Sequence, residues 1–358
     1  MSVVGRGGFP STDNFVWADL SAVKDVLYVN QGSYILRRVL HMLFVFWIIL
    51  TMLFFLFRLG LPDPTHALIA EGLSVEDRAQ IRQSFGLDEP LITQYVLYLQ
   101  NTLRGDFGFS FRYNAPVAGM ILERLMNTIV LTGAALFLAY LIGPLLGVLL
   151  SWKRGTRLEF AGIVAGLLSR SAPGFWTGML GIVLFGVMLG WVPTSGMRTL
   201  PYTADGFLDK ILTLDFLHHL LLPALIMGFY YLGLPMLIMR NTMLEVMGED
   251  FIELCRAKGM GERQVMYRHA ARNAMLPLVT QAAISIGLAV GGQVVIETVF
   301  SWPGLGREMF QAISASDYPV AQAAFMLMAA TVLVMNFFVD MLYGYLDPRV
   351  LGREGGSR

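Results

Sequence analysis

Charge is scarce in this chain. Only 15% of its 358 residues are Asp, Glu, Lys or Arg, where a soluble domain carries about a quarter. Hydrophobic residues make up 55% and mean hydropathy is +0.59, so the composition excludes an ordinary water-solvated globule and points to lipid as solvent. Basic and acidic residues balance at 26 each, so no electropositive surface for nucleic acid is expected. Cysteine is nearly absent. Cys255 stands alone, which excludes a disulfide within the chain and leaves a small packed side chain or a reactive thiol. Lysine is confined to Lys24, Lys153, Lys210 and Lys258, none of them in a G-x-x-x-x-G-K-[ST] phosphate loop, so this chain is not expected to hydrolyse ATP.

Other chemistry is missing too. His218 and His219 are adjacent, about 100° apart around a helix, which suits a membrane interface better than a shared metal. No Ser-His-Asp or paired-carboxylate arrangement stands out, and there is no internal repeat or low-complexity tract. No cleaved leader is expected, because the first apolar run begins near Val39 after a polar lead and no small-residue cleavage pattern follows it.

What the chain has is long apolar runs. A helix rises about 1.5 Å per residue, so about 20 apolar residues cross a hydrocarbon core. Six segments qualify: 39–57, 128–150, 174–191, 217–239, 276–299 and 321–343, the third interrupted by Pro173 and several glycines. Most Lys and Arg then fall on one side when both termini are cytoplasmic. On that count Lys153, Arg154, Arg157 and Arg170 belong to one inner loop, and Arg240 to Arg272 to the next. Residues 15–29 have helical apolar spacing and read as a surface-lying or a solvated helix.

The outer loop, 58–127, is too patterned for a connector. Ser74 is placed to cap a helix over 75–85 that Gly86 stops. Pro90 opens a second helix with Leu91, Tyr95, Leu99 and Leu103 along one face, ended by Gly105. Within the spans, Asp340 and Glu297 lie near opposite ends, as interface groups with local hydrogen bonds or as members of an ion relay. Gln281, Ser285 and Gln293 share helical spacing on the fifth span, lining a polar route or bonding neighbouring helices.

The most informative stretch is polar. Residues 250–277 form an inner loop with two helical patterns meeting at Gly259, which can take a positive φ and turn the chain. Met247, Phe251 and Leu254 share one side of the first pattern; Val265, Met266 and His269 share a face of the second. The plain alternative is a solvated connector with interface arginines.

These residues carry a resemblance. The loop is similar to the E-A-A-x-x-x-G coupling loop of the membrane subunits of binding-protein-dependent ABC importers. Glu253, Leu254, Cys255 and Gly259 occupy the pattern, with both alanines replaced. RAKG (256–259) and RHAARNAMLP (268–277) resemble the dipeptide, oligopeptide and nickel branch, as do FGLDEPLITQYVLYLQNTLRGDFGFSF (85–111), VFSWPGLGREMFQAISASDYPVAQ (299–322) and LDPRV (346–350). The likeness spans 33–349. LPDP (61–64) departs from the usual glycine before the aspartate, and the residues before Gln31 have no counterpart.

The resemblance implies an all-α polytopic membrane protein with the type I ABC importer permease fold. Its expected parts are an extension (1–32), a first span (33–57), an outer helical loop (58–127), a core (128–346) with the coupling loop at 240–275, and a tail (347–358). It implies a bacterial or archaeal cytoplasmic membrane, a second homologous permease subunit, a soluble binding protein outside, and two cytoplasmic ATPase subunits that alone bind ATP and Mg. It implies coupling through Phe251 and Leu254 by apolar burial against the ATPase or the permease's own helices, with Glu253, Arg256 and Arg268 setting register and Gly259 the bend. Gln281, Ser285 and Gln293 are, by their spacing, the candidates for that path, or else bond neighbouring helices. Trp302 and Gly304 would serve as a binding-protein contact, or simply pack against the fifth span. No cofactor is expected on this chain. Short peptides are the leading cargo; nickel or oligosaccharide is the alternative within the family, and an ATP-independent transporter or channel, or a membrane scaffold, the alternative outside it.

Overall fold

The computed structural model describes residues 20–60, 88–110, 112–201, 211, 213–289 and 294–346. The expected helix over 75–85 and its cap lie outside these residues, as do Gln293 and the tail. Helix α1 (Leu20–Leu59) is continuous for 40 residues, about 60 Å at 1.5 Å per residue, twice a hydrocarbon core. Residues 20–29 therefore extend the first span rather than forming a separate surface helix. Helix α2 (Leu91–Leu103) follows Pro90, as its sequence predicts, and Gly105 ends it at φ +74°. Its inner face is Gln94, Tyr95, Tyr98 and Leu99, while Leu91 and Leu103 remain exposed. Among the described residues, the departure from all-α is a short hairpin of two-residue strands, β1 (Phe109–Ser110) against β2 (Ala115–Pro116).

Helices α3 (Val117–Trp152) and α6 (Leu214–Val246) form the central pair. Between them come α4 (Arg157–Ser171) and α5 (Gly174–Gly181), the latter continuing as a π-helix over Ile182–Met188. The inner loop contains α7 (Asp250–Ala257). Then follow α8 (Leu276–Ala289), α9 (Val294–Val299), α10 (Leu305–Ser314) and α11 (Tyr318–Leu346).

Among the described residues, four helical stretches are long and apolar enough to cross a membrane uninterrupted: Tyr34–Leu59, Val117–Trp152, Leu214–Val246 and Tyr318–Leu342. They coincide with the expected first, second, fourth and sixth spans. The third is different. It is a pair, Arg157–Ser171 and Gly174–Met188, bent by 105°. Pro173 explains the break: its ring drives the preceding residue out of helical space, and Ala172 is extended at φ −71°, ψ 129°. Of the fifth expected span, α8 and α9 lie within the described residues and 290–293 lie outside them.

Three apolar clusters stack along the long helices. The first joins α1, the start of α3, α10 and α11. The second joins the middle of α3 and the first half of α6 with Met197, Ile296, Phe300 and Trp302. The third joins Val148, Met239 and Met243 to the inner loop and Leu278.

Candidate coupling surface and membrane path

Helix α7 has acidic residues in its first turn, Asp250 and Glu253, and Arg256 in its last, an arrangement that complements the helix dipole. The turn that follows is made by Gly259 at φ +76°, the left-handed region that the sequence requires of it. Arg256 Nε donates to Glu262 Oε1 at 2.9 Å across that turn, between exposed side chains that contribute little energy but set the return direction. A helical run then leads back to the membrane through Glu262–Gln264, π-helical Val265–Ala270 and Ala271–Ala274.

The residue that seats α7 on the membrane helices is Ile252, fully buried in the cluster of Val148, Met239, Met243, Val265 and Met266. Phe251 and Leu254 do not play that part. They are 37% and 56% exposed: Phe251 is only partly covered by the chain's own residues, and Leu254 less so. Glu253 and Arg268 are exposed as well. The loop thus has a seated face and an unburied apolar face rimmed by charge. Ile252 was hidden in the sequence because its partners Val265 and Met266 reach it only after the Gly259 turn.

Next to this surface, Glu159 joins α4 to α6. Thr156 Oγ1 accepts from Glu159 N at 3.4 Å, and Glu159 Oε2 accepts from Gly155 N at 2.6 Å, a reciprocal cap at the start of α4. Glu159 Oε1 also accepts from Arg240 Nε at 3.0 Å and from its Nη2. The inner ends of two helices are locked by one carboxylate.

Of the expected path residues, Gln281 and Ser285 come together: Gln281 Nε2 donates to Ser285 Oγ at 3.4 Å. Ser285 also shares a 2.8 Å hydrogen bond with the Tyr140 hydroxyl of α3, which is the interhelical bond that the spacing allowed. Tyr140 was not singled out from the sequence, where nothing separates it from other span aromatics. Asp340, taken as an interface group, pairs with Arg38 at 3.2 Å.

Away from the coupling loop, Trp302 and Gly304 belong to a latch around Glu297. The Trp302 ring is fully buried against Phe216, centroids 5.8 Å apart, and its Nε1 donates to Asn127 O at 3.0 Å. Its indole is therefore a packing group, not an accessible contact. Glu297, fully buried, accepts from Thr128 Oγ1 at 2.5 Å and Arg307 N at 2.8 Å, while Leu305 N donates to Thr128 Oγ1 at 2.8 Å. Two side chains from other helices thus cap the first turn of α10, whose amides would otherwise lack partners. Gly304 is obligatory: a Cβ there would lie 2.2 Å from Glu297 Cδ. The local-hydrogen-bond reading of Glu297 fits this latch; an ion relay does not use it.

Comparison with known proteins decides the family. Residues 139–352 match the binding-protein-dependent transport system inner membrane component, and residues 32–132 match the N-terminal membrane component of such systems. This chain belongs to that family. It is a membrane permease subunit of the ABC importer class. It is 36% identical over 334 residues to the dipeptide transport system permease protein DppB of Escherichia coli (strain K12), covering 89% of this chain and 98% of that one. It is 36% identical over 330 residues to the di/tripeptide transport system permease protein DppB of Pseudomonas aeruginosa (strain UCBPP-PA14), covering 89% and 98%. The oligopeptide transport system permease protein AppB of Bacillus subtilis (strain 168) is 34% identical over 321 residues, covering 89% and 99%. Among solved structures, a chain of the inward-facing MetNI methionine ABC transporter aligns with 64% of this permease and 96% of itself, at TM-score 0.48 and 19% identity.

Proposed function

We propose that this permease pairs with a second, homologous permease subunit to form the path by which short peptides, handed over by a soluble binding protein, enter the cell, and that α7 transmits the work of two cytoplasmic ATPase subunits. The observation that carries the coupling is the division of labour on α7. Ile252 roots the helix in the membrane helices, and Phe251 and Leu254 stay unburied beside it. An apolar pair held at a fixed distance from a rigid seat suits a groove on a moving partner. Binding that favours one state of that partner then shifts the attached spans.

The inner loop on this reading faces the cytoplasm, with both termini on the same side. ATP and Mg belong to the partner subunits, and this chain contributes the lever and half of the path. Peptide cargo is supported by the names of relatives that match along almost their whole length.

The test is reconstitution. The purified complex in proteoliposomes should hydrolyse ATP faster when peptide-loaded binding protein is added, and should accumulate labelled peptide. Phe251→Ala with Leu254→Ala should release the ATPases during purification while the permease pair stays assembled. Retention of the ATPases at full stoichiometry and normal uptake would overturn the coupling role of α7.

A further inference from the structure

Arg170 is the last-but-one residue of α4, just before the break at Ala172–Pro173. The inward bias of basic residues assigns it to the cytoplasm. The packing of α4 does not. From its Glu159–Arg240 lock at the inner end of α6, α4 climbs along α6 until Gly166 and Ser169 lie against Gly233. A Cβ on Gly233 would stand 2.3 Å from Gly166 O and 2.7 Å from Ser169 Oγ, so the two helices touch backbone to backbone there. One residue on, the Arg170 guanidinium carbon lies 5.9 Å from the ring centroid of Tyr230. Tyr230 is the middle residue of α6, a helix that spans the bilayer. Arg170 therefore stands near mid-membrane depth.

A cation at that depth costs at least ~2.5–3.5 kcal/mol on insertion scales, and such groups face a bundle interior or a water-filled cavity. Arg170 is exposed on this chain, and among the described residues no carboxylate pairs with it. Gly228 packs against Ala135 and Leu138, and Gly143 against Leu232 and Pro235, which sets Tyr140 of α3, with its Ser285 and Gln281 partners on α8, at the level of Tyr230. A guanidinium backed by an aromatic ring keeps its planar N–H edge free for an oxyanion. The one anionic group every linear peptide carries at neutral pH is its terminal carboxylate.

We propose that Arg170, lying over Tyr230 at the level of the Tyr140–Ser285 pair, is a station in the translocation path that receives the carboxylate of the peptide in transit. This rests on the peptide-permease reading above. It gives a path that tolerates varied side chains a contact common to all cargo.

The experiment uses the complete importer in proteoliposomes, with binding protein preloaded with either a free-acid tripeptide or the same tripeptide amidated at its carboxyl end. Arg170→Gln should lower the ratio of acid to amide uptake by about tenfold, the worth of one charge-assisted hydrogen bond, and Arg170→Lys should restore part of it. An equal fall for both cargoes, as expected if Arg170 pairs with a carboxylate of the second permease, would overturn the proposal, as would an unchanged ratio. A second measurement replaces Arg170 by Cys in a Cys255→Ser background, which leaves one thiol in this chain. That thiol should react with a membrane-impermeant reagent and be shielded during peptide turnover; an unreactive thiol means a covered face and overturns the proposal. A wild-type complex that hydrolyses ATP yet takes up neither peptide form would instead overturn the peptide reading itself.

Discussion

Gly259 and Gly304 look alike in the sequence and are required for different reasons. At Gly259 there is open space within 4 Å of an added Cβ, so only the positive φ constrains the residue. A β-branched side chain costs roughly 1–2 kcal/mol in left-handed space, whereas Asp and Asn visit it more readily. Gly259→Val is therefore expected to impair peptide uptake and peptide-stimulated ATP hydrolysis severely, with normal membrane levels by immunoblot. Gly259→Asn should retain most of the activity. At Gly304 the constraint is volume, because the Glu297 carboxylate fills the place of a Cβ. Gly304→Ala should destabilise the permease by about 1–3 kcal/mol, read as a lowered melting temperature in detergent. Equal effects of Ala at both positions would contradict this distinction.

Among elements, α7 separates seat from surface. Ile252→Ala removes a fully buried side chain from a methionine-rich cluster and is expected to cost about 2–5 kcal/mol, lowering permease stability even without ATPases. Leu254→Ala should leave that stability nearly unchanged, since more than half of the side chain is exposed, and Phe251→Ala should cost less than Ile252→Ala. Thermal unfolding of the isolated permease, beside ATPase retention in pull-down, distinguishes the two classes. The α4–α5 pair shows how an element defeats a hydropathy reading. Its apolar content qualifies it as a span, yet Pro173 bends it by 105°, and the apolar helix pair begins at Arg157 rather than at 174. A rule that counts basic residues by loop then assigns Arg170 to water, because the rule is blind to helix packing against Gly233.

For the whole molecule, assembly has a built-in reporter. Cys255, the one cysteine, lies half-buried on α7 between the seated and exposed faces. Maleimide should label it in the permease alone, and labelling should slow in the complete complex and vary with nucleotide. Labelling at one rate in both would argue that the ATPases do not cover α7. Helix α3 enters all three apolar clusters and α6 two of them, so this pair connects the coupling loop to the Glu297 latch.

How much of this was legible follows from the range of the forces involved. Composition and apolar run length are local, and they determined the membrane class, four of the spans and the polar inner loop with its Gly259 turn. The helix after Pro90 was equally local, set by a proline and a glycine that punctuate any chain. What tertiary structure alone decided was which face of each element meets a neighbour. Ile252 rather than Phe251 is the seat, Trp302 is core rather than contact, and Arg170 is raised to mid-membrane beside Tyr230. In each case the deciding partner is distant in sequence, so no periodicity along the chain encodes it; only helices packed at backbone distance bring the two together.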